Sequence, residues 1–366
     1  MIVEQLAGKK VALTGTTGFL GTALVERLLR AVPDIELVLI VRPGRRGAKR
    51  RVERDILRND AFDGLRRVHG DAFDAVVADR VTAVAGDVSV DGLGLDEDGR
   101  ALLAACDTVI HSAAAVSFDS PLDQAVEINL LGPVRIAEML TELSVAPHLV
   151  AVSTCYVAGS RRGNAPEIAV DASPFFVDVS WRAEVEAARR TRTDVETQSR
   201  EPGRLTEFRN RARAELGAAG TPALAAKTEQ LRTRWVTDQM AEAGRARAGS
   251  LGFPDAYAYT KALGEKALLE TTATSGLGVS IVRPSIIESA MAEPFPGWIR
   301  GFRMAEPVII SYARGLLKEF PGVPEGTVDV IPVDMVVAAI CAVAARGHRP
   351  GHDGTDIVQV ASGSVN

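Results

Sequence analysis

Short apolar runs recur along the chain, and most are followed by glycine or polar breaks and then by helical spacing. They are Lys9–Thr14, Ile35–Val41, Val81–Gly86, Thr108–His111, Leu149–Ser153, Val279–Val282 and Ile357–Val360. In Ile35–Val41 nearly every position is apolar, which marks a strand buried on both faces. Leu20–Leu29, Pro121–Leu143 and the segment DAYAYTKALGEKALLE from Asp255 carry the apolar spacing of helices. Strands alternating with helices predict an α/β fold with a doubly wound parallel sheet. A ligand then belongs at the carboxyl ends of the strands. No internal repeat is present.

From about Ser160 the pattern changes. Trp181–Ser250 is rich in alanine and charge, with basic residues in excess and few large aliphatics. This predicts exposed helices inserted into the sheet fold, broken near Pro202-Gly203 and Gly220-Thr221-Pro222. Two readings stand side by side, a solvated appendage and a lid or docking surface for an anionic partner. The chain thus divides into a dinucleotide-binding half (1–160), a charged helical insertion (161–250), and a part with the catalytic helix, remaining strands and a substrate lobe (251–366).

Composition narrows the class. With 366 residues and 46% hydrophobic content the chain can bury a sizeable core. A net charge of -5 gives no whole-chain reason to expect nucleic acid. Cys106, Cys155 and Cys341 have no metal-like spacing, so no metal is expected. The start, MIVEQLAGKKVAL, lacks the marks of a signal peptide, and no segment is apolar for long enough to span a bilayer. A cytoplasmic location is expected, with a peripheral membrane contact left open.

The first strand runs into Gly15, Gly18 and Gly21, spaced by three. Gly15 lets the chain turn sharply, Gly18 lets a pyrophosphate approach the main chain, and Gly21 lets the helix pack close. Thr14, Gly15, Thr17, Gly18, Phe19, Leu20 and Gly21 are therefore the expected cradle of a dinucleotide. The second strand ends at Arg42, followed by Arg45, Arg46, Lys49, Arg50 and Arg51. An arginine here holds a 2′-phosphate where an acidic residue would hold ribose hydroxyls, which favours NADPH, with Arg42 and Arg50 as its ligands. The plainer alternative is a solvated basic helix start. Asp87 and Val88 follow the third strand at an adenine position. Ala113 and Ala114 leave room for the cofactor across the fourth, and His111 is expected to be structural.

Tyr257 and Lys261 lie four residues apart, on one helix face. A phenol has a pKa of ~10, and a nearby ammonium favours the phenolate. Such a pair can hand a proton to a carbonyl oxygen as hydride reaches carbon. With the glycine turn and a hydroxyl after the fifth strand, the chain resembles the extended short-chain dehydrogenase/reductase superfamily, and hence a Rossmann fold. TGTTGFLG, VSTCYVAG, YAYTKALGE, VRPSII, EPFPGW and VDVIPVDMVV together resemble the reductase domain of fatty acyl-CoA reductases.

The resemblance implies that Tyr257 donates the proton, that Lys261 holds the nicotinamide ribose and tunes Tyr257, and that Thr154 hydrogen-bonds the substrate oxygen. Ser153 competes with Thr154, which is preferred for its register five residues before Gly159. Asn129 takes the supporting relay position, unless it is simply a helix asparagine facing solvent. Ser153, Pro284, Ser285 and Ile286 border the nicotinamide. Phe295, Trp298, Ile299, Phe302, Met304, Ile309, Ile310 and Leu316 either line an acyl channel or form the core of the C-terminal lobe. Arg300 and Arg303 are candidates for the phosphates of coenzyme A or a carrier.

The implied activity is NADPH-dependent reduction of a long-chain fatty acyl thioester to aldehyde, alcohol or both. A thioester on Cys155 is an alternative route, disfavoured because nothing nearby in sequence activates that thiol. Alternative functions are a fatty-aldehyde reductase domain of a longer bifunctional protein and an NADPH-binding partner-interaction module. The family pattern also implies a further domain of the same full-length protein as a partner.

Overall fold

The computed structural model describes residues 1–161, 163–217, 222–301, 306–319, 328–351 and 354–363. The expectations placed on Phe302, Arg303, Met304 and the Gly220-Thr221 break lie outside these residues. Seven strands, β1 (Lys10–Thr14), β2 (Glu36–Val41), β3 (Val81–Ala85), β4 (Thr108–His111), β5 (His148–Val152), β6 (Val279–Pro284) and β9 (Ile357–Val360), form one sheet in the order β3-β2-β1-β4-β5-β6-β9. All pairings are parallel. Two further strands, β7 (Ile286–Glu288) and β8 (Val330–Pro332), make a small parallel pair beside it.

The sheet is the one the apolar runs predict, with ends shifted by one or two residues. β2 is buried at every position after Glu36, and β6 throughout. Helix α1 (Phe19–Ala31) covers one face with α7 (Val333–Arg346), and α2 (Leu131–Glu142) covers the other with α6 (Ala256–Thr272). The strand order reverses between β1 and β4, so the carboxyl ends of these strands open a crevice where the glycine turn lies. Strands from 1–160 and from 251–366 pair directly, β5 with β6, so the two halves share one sheet.

The helical stretch expected over Pro121–Leu143 is continuous but contains a widened turn, Val126–Leu130. It packs closely against α6. A Cβ on Gly264 would overlap the Asn129 carbonyl oxygen, so only glycine admits this approach. Widened turns of this kind often place a side chain that a regular helix would turn away.

The insertion contains α3 (Trp181–Ser199), α4 (Pro202–Leu216) and α5 (Leu224–Ser250). It is less exposed than its composition suggests. Val185, Ala188, Val195, Val236, Met240 and Ala248 are buried in one cluster with Val126, Leu130 and Tyr259 of the body. A few aliphatics and alanines on one face suffice for this seam, while the charges occupy the other faces. Glu184 of α3 accepts hydrogen bonds from Arg247 of α5 at 2.5 and 2.8 Å and from the Tyr259 hydroxyl of α6 at 2.5 Å. The insertion is therefore fixed to the helix that carries Tyr257 and Lys261. Only α4 stands further out, packed on α5 through Phe208, Ala212, Leu231 and Trp235.

Candidate active site

The carboxyl ends of β1, β2, β4, β5 and β6 face a single cavity of about 720 Å³. At one end lies the glycine turn. Gly15 has φ +74, and a Cβ there would sit 2.5 Å from the main chain of Ser112 and Ala113. A Cβ on Gly21 would overlap the Gly15 carbonyl oxygen. Glycine is thus required at both positions because a side chain there would collide with main chain. Two hydroxyls of the lining, Thr16 Oγ1 and Ser153 Oγ, are buried without a partner. Unsatisfied buried polar groups in a concave wall fit a polar ligand such as a dinucleotide.

At the other end stand Thr154, Tyr257 and Lys261. Helix α6 starts at Asp255, whose carboxylate accepts from the Ala258 amide at 2.8 Å, and this cap sets the phase that turns Tyr257 and Lys261 into the cavity. Lys261 is 4% exposed and donates from Nζ to the Val152 carbonyl at 2.8 Å. Burial pulls its ammonium down to about 8, opposed by the charge of Glu265 one turn on. Burial pushes the Tyr257 phenol up to about 12, opposed by a hydrogen bond with Thr154. This direction is opposite to that of a phenolate favoured by Lys261, and burial is its largest cause. The neutral phenol is nevertheless the form a proton donor requires. Thr154, rather than Ser153, is the hydroxyl that reaches Tyr257.

The cavity lining takes in Thr14, Gly15, Thr17, Gly18, Phe19, Leu20, Gly21, Arg42, Asp87 and Val88 from the first half of the chain. Ala113, Ala114, Ser153, Pro284, Ser285 and Ile286 complete the set expected to border a cofactor. Arg50 is not among them. It is 68% exposed and pairs with Glu53 at 3.1 Å, whereas its neighbour Arg51 lines the cavity and donates to the Arg42 carbonyl at 2.6 Å. The reason is helical phase over Gly47–Val52, which turns adjacent arginines about 100° apart.

Asn129 stands behind the wall, not in the cavity and not in solvent. It accepts from the Ala115 amide at 2.8 Å and donates to the Ala115 carbonyl at 3.0 Å and to Thr260 Oγ1 at 3.2 Å. Thr16, Arg51, Phe118, Asp119 and Tyr156 also line the cavity and were not expected from sequence. The Phe118 ring meets Tyr257 edge-on at 6.4 Å, and Asp119 pairs with Arg245 of α5 at 2.7 Å. No short-range signal marks Phe118 and Asp119, because only the fold brings this loop to the phenol.

Two reactive side chains stand close by. His111 is fully enclosed, with Nδ1 2.8 Å from Thr14 Oγ1, and burial followed by the charge of Lys261 lowers it to about 3. It stays neutral at pH 7, as a structural residue does. Cys155 donates its Sγ–H to the Arg283 carbonyl at 3.0 Å, and burial pushes the thiol up to about 11. A nucleophilic cysteine must be thiolate. Cys155→Ser is therefore expected to leave turnover essentially unchanged, measured as NADPH oxidation with a long-chain thioester; loss of turnover would bring the covalent route back.

Comparison with known proteins adds to this geometry. A model of NAD-binding domains described as "Male sterility protein" matches residues 13–340. Fatty acyl-CoA reductase 8 of Arabidopsis thaliana is 32% identical over 371 aligned positions, which cover 100% of this chain and 68% of that protein. The chain belongs to the fatty acyl-CoA reductase family. Within it, the chloroplastic fatty acyl-CoA reductase 2 of Arabidopsis thaliana is 31% identical, with 100% of this chain and 56% of that protein covered. Fatty acyl-CoA reductase 2 of Homo sapiens is 26% identical, covering 100% of this chain and 60% of that protein. The chain spans 56% to 68% of the length of these relatives.

Among solved structures, the terminal R domain of the myxalamid PKS-NRPS pathway superposes with a TM-score of 0.58 at 19% identity, covering 96% of this chain and 65% of that one. The reductase domain of a nonribosomal peptide synthetase from Mycobacterium tuberculosis gives 0.53 at 22% identity, covering 96% and 67%. These likenesses show that the chain shares the fold of these reductase domains, a doubly wound parallel α/β sheet. Among its described residues, no helix is long and apolar enough to cross a membrane.

Proposed function

We propose that this chain reduces long-chain fatty acyl thioesters with NADPH, releasing the fatty aldehyde and reducing it onward to the alcohol in the same cavity. The observation that carries the reading is the sharing of one cavity by the glycine turn and by Thr154, Tyr257 and Lys261. The names of the relatives supply the substrate class.

The glycine turn and the unpartnered hydroxyls of Thr16 and Ser153 would hold the dinucleotide, with Lys261 on its nicotinamide ribose. NADPH, when bound, supplies the hydride that the carbonyl carbon accepts. Thr154 donates a hydrogen bond to the carbonyl oxygen, and Tyr257 gives it the phenol proton as negative charge develops. The hemithioacetal so formed loses its thiol by breaking the C–S bond, leaving the aldehyde. After Tyr257 regains a proton from solvent, reduction of the aldehyde with hydride from a second NADPH repeats the proton donation and yields the alcohol. With NADPH and palmitoyl-CoA, free coenzyme A should appear in step with NADPH oxidation, read with a thiol reagent; oxidation without thiol release would contradict cleavage of the thioester.

Arg42 and Arg51 favour NADPH over NADH. Both line the cavity beside β2, and the Arg51–Arg42 main-chain bond holds the pair in place. A charge-assisted hydrogen bond to a phosphate contributes about 1.5–3 kcal/mol. Arg42→Ala should therefore raise the KM for NADPH by about tenfold or more while that for NADH changes little. Equal effects on the two would remove the 2′-phosphate contact.

A further inference from the structure

The EPFPGW segment was a candidate wall for the acyl chain, yet none of its residues lines the cavity. Trp298 is 1% exposed and buried in the core, while Ile309 and Leu316 are largely exposed. What the segment touches is α1. Its start is held by Asp334 at the first turn of α7, whose carboxylate accepts from the amides of Met291 at 3.0 Å, Ala292 at 2.9 Å and Glu293 at 3.2 Å.

From this fixed point the segment reaches α1 at three places. Glu293 pairs with Arg27 and Arg30 on the outer turns of the helix. Trp298 packs its ring against Phe19, centroid to centroid 5.2 Å, and donates its indole N–H to Asp60 at 2.9 Å. Arg300 donates to Thr22 Oγ1, and Thr22 in turn donates to the Gly18 carbonyl at 2.7 Å. Phe19 opens α1 and, with Gly18, belongs to the cradle. The helix end of the turn that would receive the pyrophosphate, at Gly18 and Phe19, is thus braced from behind by one distant segment.

We infer that Trp298 is a positioning residue for the dinucleotide site, fixing Phe19 and the glycine turn in their binding geometry. This rests on the proposal that the cavity takes a nicotinamide dinucleotide. A cradle of backbone amides binds an anion well only if it is already ordered, since any ordering left to the ligand is subtracted from its affinity. The indole is anchored on one side by Asp60 and on the other by the Phe19 ring, so it has little freedom to transmit. Loosening it should be felt at Gly18 and Phe19 and not at the acyl end of the cavity.

The test uses the whole chain and three variants, Trp298→Leu, Trp298→Phe and Glu293→Gln, with NADPH affinity read by fluorescence titration and kinetics read with palmitoyl-CoA. Trp298→Leu should weaken NADPH binding about tenfold, with kcat at saturating NADPH and the KM for the thioester unchanged. Trp298→Phe, which keeps a ring against Phe19, should recover most of the affinity. Glu293→Gln should give a smaller loss of the same kind. A raised thioester KM with unchanged NADPH affinity would return Trp298 to the acyl channel. A lowered melting temperature with unchanged affinity would make it core alone; either result overturns the inference. If Trp298→Leu does not fold, unchanged NADPH affinity in both other variants overturns it equally. Failure of the unaltered chain to bind NADPH or NADH would instead overturn the cofactor reading itself.

Discussion

Tyr257→Phe is expected to lower kcat by about 10²- to 10⁴-fold, the contribution of a positioned general acid, while NADPH affinity stays the same. The phenol is held neutral by burial and hydrogen-bonded to Thr154, so at pH 7 its proton is available for transfer. Phenylalanine keeps the ring and its edge contact with Phe118 and removes only the donor. Thr154 remains to hydrogen-bond the carbonyl oxygen, which is why some activity should survive. Steady-state kinetics with palmitoyl-CoA and a fluorescence titration with NADPH separate the two effects. Full turnover in this variant would remove Tyr257 from the proton-donor role.

Arg283→Met should destabilise the fold by about 3–5 kcal/mol, the usual consequence of stranding a buried charge. Arg283 on β6 and Glu265 on α6 are 4% exposed each and share hydrogen bonds at 2.5, 3.0 and 3.2 Å. Arg283 also donates to the Ile168 carbonyl at 2.9 Å, tying the start of the insertion, ahead of α3, to the sheet. Glu265 lies one turn beyond Lys261, and its charge supports the protonated ammonium there. The pair therefore joins the stability of the catalytic helix to the state of its lysine. Urea unfolding should show a lower midpoint with an unchanged slope, and the double variant Arg283→Met/Glu265→Leu should regain much of the loss. A midpoint equal to that of the unaltered chain would show that water or another group satisfies Glu265.

The sheet was legible because its inner strands are buried on both faces, which writes them as continuous apolar runs such as Ile35–Val41. The glycine turn and the Tyr257–Lys261 spacing were legible because each is local, a matter of residues three or four apart. What escaped depends on long-range placement. Arg51 replaces Arg50 in the cavity because one residue of helical phase decides which arginine turns inward. Phe118 and Asp119 sit on a loop, and Tyr156 on a single 3-10 turn, with no periodic signal. Trp298 was plausible as channel or as core from its hydrophobicity alone, and only its contacts with Phe19 and Asp60 decide for core. The buried seam of the insertion escaped because alanine adds little to an apolar count and yet packs well, as Ala188 and Ala248 do against the body. The direction of the Tyr257 shift was likewise set by burial, which sequence does not display.

The most direct test of the account is NADPH oxidation by the chain with palmitoyl-CoA and, separately, with hexadecanal, the products being identified by gas chromatography. Oxidation with both substrates, and hexadecanol from each, is the predicted result. Oxidation with hexadecanal alone would contradict it, and would make this chain a reductase of the aldehyde with the thioester step performed elsewhere.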